Sequence, residues 1–421
     1  MQLSKPKNKI KWSLGMGIAL LLFIAVYLTL QVNQALGVFL FIGAGLGYIE
    51  NRSKIGIVSG YVDFFIKGSR TRLYGLILLF GLGALVTLLI HFNAAQNGAL
   101  PAHQVSNGSS IIPGTEAVVP VDFGLILGAF LFGMGLTMNE GCGLGTIRNI
   151  GQGKFRYIWP LSFIFIGTIP GQLVKYQLDQ SIIHDYSIEL YLPDAFGYFG
   201  TFILLGGLFI FLVYLAKRYE RYRREKNLYV ETEKMNFPKE EGVSEATQAT
   251  MYWLFKKEWP RIVSVLLITT LLLLTLVFTG EKLAVTQPLL YPAIWLFEKI
   301  GFSFEHAAFQ EPLTIVQNGL LNHTKTLNNV GILIGAVIYS LTSRTFTNSF
   351  SMQWKQAGWS ALSGLFMGFG AVLASGCIVG ALYSGIVNLS ISGWVVFSSM
   401  SLGIYVTVKA LNGRVSTIPE I

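Results

Sequence analysis

The sequence holds two cysteines, and each sits in a glycine bracket. The first bracket is Gly141-Cys142-Gly143-Leu144-Gly145, preceded by Phe132-Gly133-Met134-Gly135. The second is Gly376-Cys377-Ile378-Val379-Gly380, preceded by Met367-Gly368-Phe369-Gly370. One offset relates the copies: 133, 135, 141, 142 and 145 map to 368, 370, 376, 377 and 380, and Trp159 maps to Trp394. A Gly-Cys step that opens a short helix offers defined chemistry. The first helical turn has unpaired backbone N–H groups and the positive end of the macrodipole, which favour an anion. The glycines let the backbone turn sharply and approach a ligand. A thiol is a small, polarizable, weak S–H donor, better suited to a soft sulfur atom than to a hard oxygen. Weak, repeated contacts in a narrow opening let an anion both enter and leave. This makes Cys142, Cys377, Gly141, Gly145, Gly376 and Gly380 the expected path residues.

The surrounding residues carry blander readings. Gly133, Gly135, Gly368 and Gly370 are expected to permit close helix packing. Glu140 and Arg148 flank the first motif and read as an exposed or mutually compensating pair at a cytoplasmic mouth. Asn139, Asn149 and Gln152 have the groups to bond an oxyanion, but also suit solvated loops. Arg52 reads as an interfacial anchor. The five histidines are dispersed without metal-ligand spacing, so no metal and no cofactor is expected. No P-loop is present in the sequence, which assigns any ATP use to another chain.

The elements that must position these residues are membrane helices. The chain has 421 residues, 52% hydrophobic and 13% charged, against roughly a quarter charged in soluble domains. The fold class that follows is an all-α polytopic membrane protein, residues 1–421 forming a single transmembrane domain. The net charge of +9 lies mostly in loops, where it sets orientation and implies no nucleic acid. Ten spans are predicted at about 12–31, 35–49, 72–92, 122–138, 157–177, 195–216, 260–279, 328–343, 357–373 and 391–409. The Lys and Arg distribution puts the amino and carboxyl termini and the charged linker 217–257 in the cytoplasm. Only the outer region 280–327 is mixed in charge. The first span resembles a signal peptide but is long enough to remain as a helix. Five apolar pieces are too short to span: 55–66, the stretch after Cys142, 288–297, 312–321 and 377–389. They read as re-entrant half-helices lining a path, since non-helical backbone at membrane depth needs protein or a cavity around it. On this topology Cys142 follows an inner helix end and Cys377 an outer one. The same unit is therefore inserted twice in opposite senses, as inverted repeats over 36–177 and 260–409. The two thiols are expected to be displaced toward opposite faces.

At these residues the chain resembles the YeeE/YedE family of membrane proteins, regarded as importers of thiosulfate and related sulfur compounds. The closest stretch is Gly364, Met367-Gly368-Phe369-Gly370-Ala371, Gly376-Cys377, Gly380-Ala381, Ser384-Gly385-Ile386 and Ser390 to Trp394. The first half contributes the Cys142 bracket, Thr146 and Gly151-Gln152-Gly153. The resemblance implies that Cys142 and Cys377 line a central path between inverted repeats. It also marks two departures. Gly56 stands where the family often has a third cysteine, and Ile378 where it often has asparagine.

The expected function is a plasma-membrane transporter importing thiosulfate or a close sulfur anion, not an enzyme. The partners expected are the sulfur anion and membrane lipid, with a cytoplasmic sulfur-carrier protein as a further candidate. Three alternatives stay open: a membrane sulfurtransferase passing a persulfide to that carrier, a selenium-compound transporter, and a redox sensor closing a reversible Cys142–Cys377 bridge. The persulfide route would need an attackable thiolate.

Overall fold

A computed structural model describes residues 7–53, 57–105, 110–139, 141–181, 186–226, 229 and 259–411. Every predicted span coincides with a helix. They are α1 (Lys7–Val32), α2 (Gln34–Ser53), α4 (Arg70–Gln96), α5 (Phe123–Asn139), α7 (Ile158–Asp179), α8 (Leu192–Glu225), α9 (Arg261–Thr279), α12 (Thr324–Thr342), α13 (Trp354–Leu373) and α15 (Ile391–Ala410). The short pieces are also helical: α3 (Ile57–Lys67), α6 (Gly143–Gly151), α10 (Leu290–Ile300) and α11 (Gln310–Gln317). After Cys377 the backbone makes a wide π-helical stretch, Ile378–Tyr383, and continues as α14 (Ser384–Val387). The described residues thus form an all-α polytopic membrane protein.

Eight of the helical stretches are long and apolar enough to cross a bilayer. The long helices outside that set are α2 and α12. They are the most protein-enclosed of the long helices and carry buried polar residues, Glu50, Asn51, Asn328 and Asn329. A helix surrounded by protein need not satisfy lipid, which explains their lower apolarity. The two lie against each other through glycine. A side chain on Gly43 would strike the Asn328 carbonyl, and one on Gly331 would sit 2.5 Å from the Leu40 carbonyl.

Several helix pairs of the first half have a counterpart in the second. α2 packs on α12, and α9 on α4; α13 packs on α7, and α5 on α15. α12 touches α6 as α4 touches α14, and α10 touches α7 as α3 touches α15. α13 against α5 and α9 against α2 complete the set. Exchanging α2–α7 for α9–α15 returns these named pairs, whereas α3 packs on α4 without a matching contact of α10 with α12 among the described residues. The glycines before the cysteines occupy these seams. Gly135 faces Ser363 and Met367, Gly370 faces Gly128, Gly133 faces Met400 and Gly368 faces Ile164, each too closely for a side chain. Their expected packing role is thereby met. The charged linker begins as the end of α8, which runs on to Glu225; most of the remainder of 217–257 lies outside the described residues.

Candidate substrate path

Each cysteine is the residue that starts a half-helix. Cys142 caps α6 with φ −90° and ψ −169°, and Cys377 caps the π-helical stretch with φ −107° and ψ −163°. The chains then diverge. The Cys142 carbonyl accepts from Thr146 N at 2.8 Å, a regular helical turn, whereas the Cys377 carbonyl accepts from both Ala381 N at 2.7 Å and Leu382 N at 3.2 Å. The second bond is the one that widens the turn. Gly376 permits this start: its φ is 157°, and a side chain there would meet Ala381 N at 2.5 Å.

Both thiols are free, with relative exposures of 1% and 0%. They belong to one apolar cluster that draws residues from both halves. Cys142 stands at the N-cap of α6, whose first N–H groups no side chain caps. The sulfur and the positive end of α6 therefore converge on the same space.

Two further features mark that space. A small apolar cavity lies beside it, lined by Leu46, Leu79, Phe80, Leu144, Leu272, Val379 and Tyr383. Leu144 and Val379 are repeat counterparts, two residues past each cysteine, so the cavity lies on the seam between the halves. Gly145 is buried, yet a side chain placed on it would find nothing within 4 Å. Gly141 and Gly380 are less open, with neighbours at 3.5 Å and 3.4 Å.

The weaker sequence candidates fall elsewhere. Arg148, on the last turn of α6, is 3.8 Å from the buried Glu50 carboxylate of α2. Gln152 donates to Asn51 on the same α2 turn. These contacts fasten the end of α6 to α2. Asn139 is buried in a separate pocket with Arg156, Tyr157, Met352 and Gln356, and its amide nitrogen has no protein partner. Gly56 and Glu140 lie outside the described residues. Arg52 is no interfacial anchor: it is 3% exposed, stacks its guanidinium 4.2 Å over Trp259 and donates to Tyr48 Oη at 3.0 Å. Burial between aromatic faces replaces water around that cation. Glu50 and Asn51 escaped the sequence reading because they follow the apolar run, with nothing local to indicate that α6 would cover them. Of the histidines, His91 is fully buried, its ring nitrogens 2.8 Å from Tyr191 Oη and 2.9 Å from the Pro113 carbonyl. The Pro113 carbonyl can only accept, so the ring nitrogen facing it carries a proton.

A family profile described as Sulphur transport matches residues 52–406, which include both cysteine motifs. The chain belongs to this sulphur transport family. It is similar to the "Thiosulfate transporter TsuA" of Escherichia coli (strain K12), with 21% identity over 373 residues, covering 86% of this chain and 91% of that protein. It is also similar to the "Probable transporter YedE" of the same organism, with 24% identity over 202 residues, covering 46% of this chain and 44% of that protein. The family member described here thus couples a membrane-spanning helical architecture to a sulfur-transport profile that extends over most of its length.

Proposed function

We propose that this protein imports thiosulfate, or a closely related sulfur anion, across the plasma membrane through a narrow path lined by Cys142 and Cys377. The observation that carries the reading is the burial of both thiols, each at the start of a helical stretch, within one apolar cluster that draws on both halves. The positive helix ends offset the anion's charge, and the S–H groups offer weak contacts to its terminal sulfur. Gly141, Gly145, Gly376 and Gly380 shape the two half-helix starts. Arg148 and Gln152 hold the inner end of α6. The recurrence of the same helix pairs in both halves supports an inverted-repeat design, in which a closed seam opens by movement of one half against the other. With the termini in the cytoplasm, the linker after α8 faces inward.

The burial of both sulfurs bears on the persulfide alternative. A protein carrier would have to reach a thiol covered by packed side chains, whereas a small anion needs only the seam to open. The "Thiosulfate transporter TsuA" likeness supports thiosulfate as the substrate class.

The test is uptake of labelled thiosulfate into proteoliposomes holding the purified protein. Cys142→Ala and Cys377→Ala should each lower uptake at least about ten-fold, the effect of losing about 1.4 kcal/mol of barrier stabilisation, at unchanged protein level. Wild-type uptake in both variants would refute a path role for the thiols.

A further inference from the structure

Residues 280–286 join α9 to the short helices that follow, and they do not form a helix. Gly280 ends α9 in the left-handed region at φ 70°, and the chain then turns into the protein. Leu283, Ala284, Val285 and Thr286 are all buried. Non-helical backbone at depth persists only where protein or a cavity encloses it. This stretch adjoins both cysteine motifs. The Leu283 carbonyl and Ala284 lie 3.4 Å from where a side chain on Gly380 would begin. Thr286 Oγ1 lies 2.5 Å from where one on Gly143 would begin. Asn329 holds the stretch in place, donating to the Val285 carbonyl at 2.8 Å.

Thr286 Oγ1 is fully buried and has no protein hydrogen-bond partner. Nearby threonines on α9 return their hydroxyls to carbonyls of the preceding turn: Thr275 to Leu271 at 3.2 Å and Thr279 to Thr275 at 2.7 Å. The orphaned hydroxyl faces the first turn of α6, where N–H groups are also in surplus. At the other end stands Lys282, partly buried and within electrostatic reach of Lys175, Lys325 and Glu116. Lys175 is held by Asp179 at 3.2 Å and Lys325 by Glu281 at 3.5 Å. Among the described residues Lys282 has no ion pair within 4 Å. Four extended residues span at most about 14 Å, roughly half the hydrocarbon thickness of a bilayer. Lys282 can therefore stand at a mouth while Thr286 stands beside Gly143, the residue after the first thiol.

We propose that Lys282 and Thr286 are the outer-side ligands of the transported anion, Lys282 capturing it at the mouth and Thr286 bonding its oxygen end at the start of α6. The proposal rests on the transport reading above and adds to it the residues that select a sulfur oxyanion. A terminal sulfur set against the thiols places the oxygens of the same anion toward a hydroxyl and the helix N–H groups. The site thus distinguishes an oxyanion from a bare sulfide, which would leave the Thr286 hydroxyl unsatisfied.

Lys282 lies outside the spanning helices, and its pKa is lowered to about 8, first by burial and then by Lys325; Glu116 opposes the shift and Lys175 adds to it. The ammonium is therefore present below pH 8 and lost above it. The charged groups facing it are Lys175, Lys325 and Glu116, with Asp179 and Glu281 in their ion pairs. His323, also near Lys325, has a pKa lowered by burial to about 4 and stays neutral across this range.

Uptake of labelled thiosulfate by proteoliposomes at pH 7 and pH 9 tests the proposal. Lys282→Met should raise KM at least about ten-fold, the loss of one charge-assisted contact, and leave kcat within about two-fold. Lys282→Arg should keep the wild-type KM. The wild-type KM should rise from pH 7 to pH 9, while that of Lys282→Met stays flat. Thr286→Val should lower kcat at least about ten-fold, and Thr286→Ser should restore it. An unchanged KM and pH profile in Lys282→Met, or a wild-type rate in Thr286→Val, overturns the assignment of that residue. Calorimetric titration of the purified protein with thiosulfate separates the two readings. If wild-type vesicles take up none, the transport reading fails. Binding that Lys282→Met weakens would still support the ligand assignment, and binding that it leaves intact would overturn it.

Discussion

Gly145 offers a substitution whose effects on folding and on passage should separate. It lies in the first turns of α6, three residues past Cys142, and is buried. A side chain there would meet nothing within 4 Å. A Cβ at an unobstructed helical site removes backbone freedom from the unfolded chain, so Gly145→Ala should stabilise by about 0.5 kcal/mol. Gly145→Leu places a larger group in the same opening. Burying it contributes up to about 2 kcal/mol of apolar transfer, offset by any contact that has to yield, so the melting temperature should not fall. Uptake is another matter. If this opening is where an anion passes the first thiol, a leucine occupies it, and labelled thiosulfate uptake should fall at least about ten-fold. Gly143→Ala is the contrasting case, because its new methyl group would press on Thr286 Oγ1 from 2.5 Å. It should destabilise by about 1–3 kcal/mol, the range for forced overpacking. The assays are thermal unfolding in detergent and proteoliposome uptake, run on the same preparations. Gly145→Leu protein that is folded and transports at the wild-type rate would refute the placement of the path beside α6.

Other outcomes follow from the packing. Arg148→Gln leaves the buried Glu50 carboxylate without the cation 3.8 Å away; because Arg148 keeps some solvent contact, the loss should be about 2 kcal/mol, below the range for a fully buried pair. Glu50→Gln should cost less, since the cation can still reach water, and a double-mutant cycle by thermal unfolding checks the coupling. Gly370→Leu sets a side chain against the Gly128 carbonyl at 2.5 Å and should destabilise by about 3 kcal/mol or more, read as lost monodisperse protein in size-exclusion chromatography. Trp259→Leu removes the ring 4.2 Å from the Arg52 guanidinium and should lower stability by about 1–2 kcal/mol, with Trp259→Tyr recovering part of it.

Helix positions were readable because membrane helices announce themselves locally. Long uncharged runs marked most of the spans, and the pieces at 55–66 and 288–297 were short enough to be recognised as half-helices. The bracketed cysteines were readable as helix starts for the same reason, since Gly-Cys ends one element and opens another. The seam glycines declared themselves through the duplicated motif: Gly133 and Gly135 recur as Gly368 and Gly370, and all four meet a facing helix too closely for a side chain. Depth and partnership are different properties. Where Cys142 and Cys377 lie relative to each other depends on how far two half-helices turn back, which no local pattern encodes. Arg148 finds Glu50 across a separate helix, and Arg52 finds Trp259 beyond the charged linker. In each case the partner is chosen by helix packing, and the sequence signal is only a charge that lipid would not tolerate.

That same intolerance is the physical reason to read residues 280–286 as functional. A membrane protein can enclose a helix at little cost because its backbone satisfies itself. Here the chain gives up the helix after Gly280, buries four residues without one, and leaves the Thr286 hydroxyl without a protein partner. The opposite arrangement was available, since Thr275 and Thr279 on the preceding helix are both satisfied within it. Moving Thr286 out of helical register forfeits such a bond and yields a polar group beside the start of α6. A purely structural role predicts that Thr286→Val, which keeps the shape and removes the orphaned hydroxyl, is neutral or stabilising. A ligand role predicts the same stability together with slower uptake, so the combination of a higher melting temperature and a lower kcat in this one variant distinguishes the two.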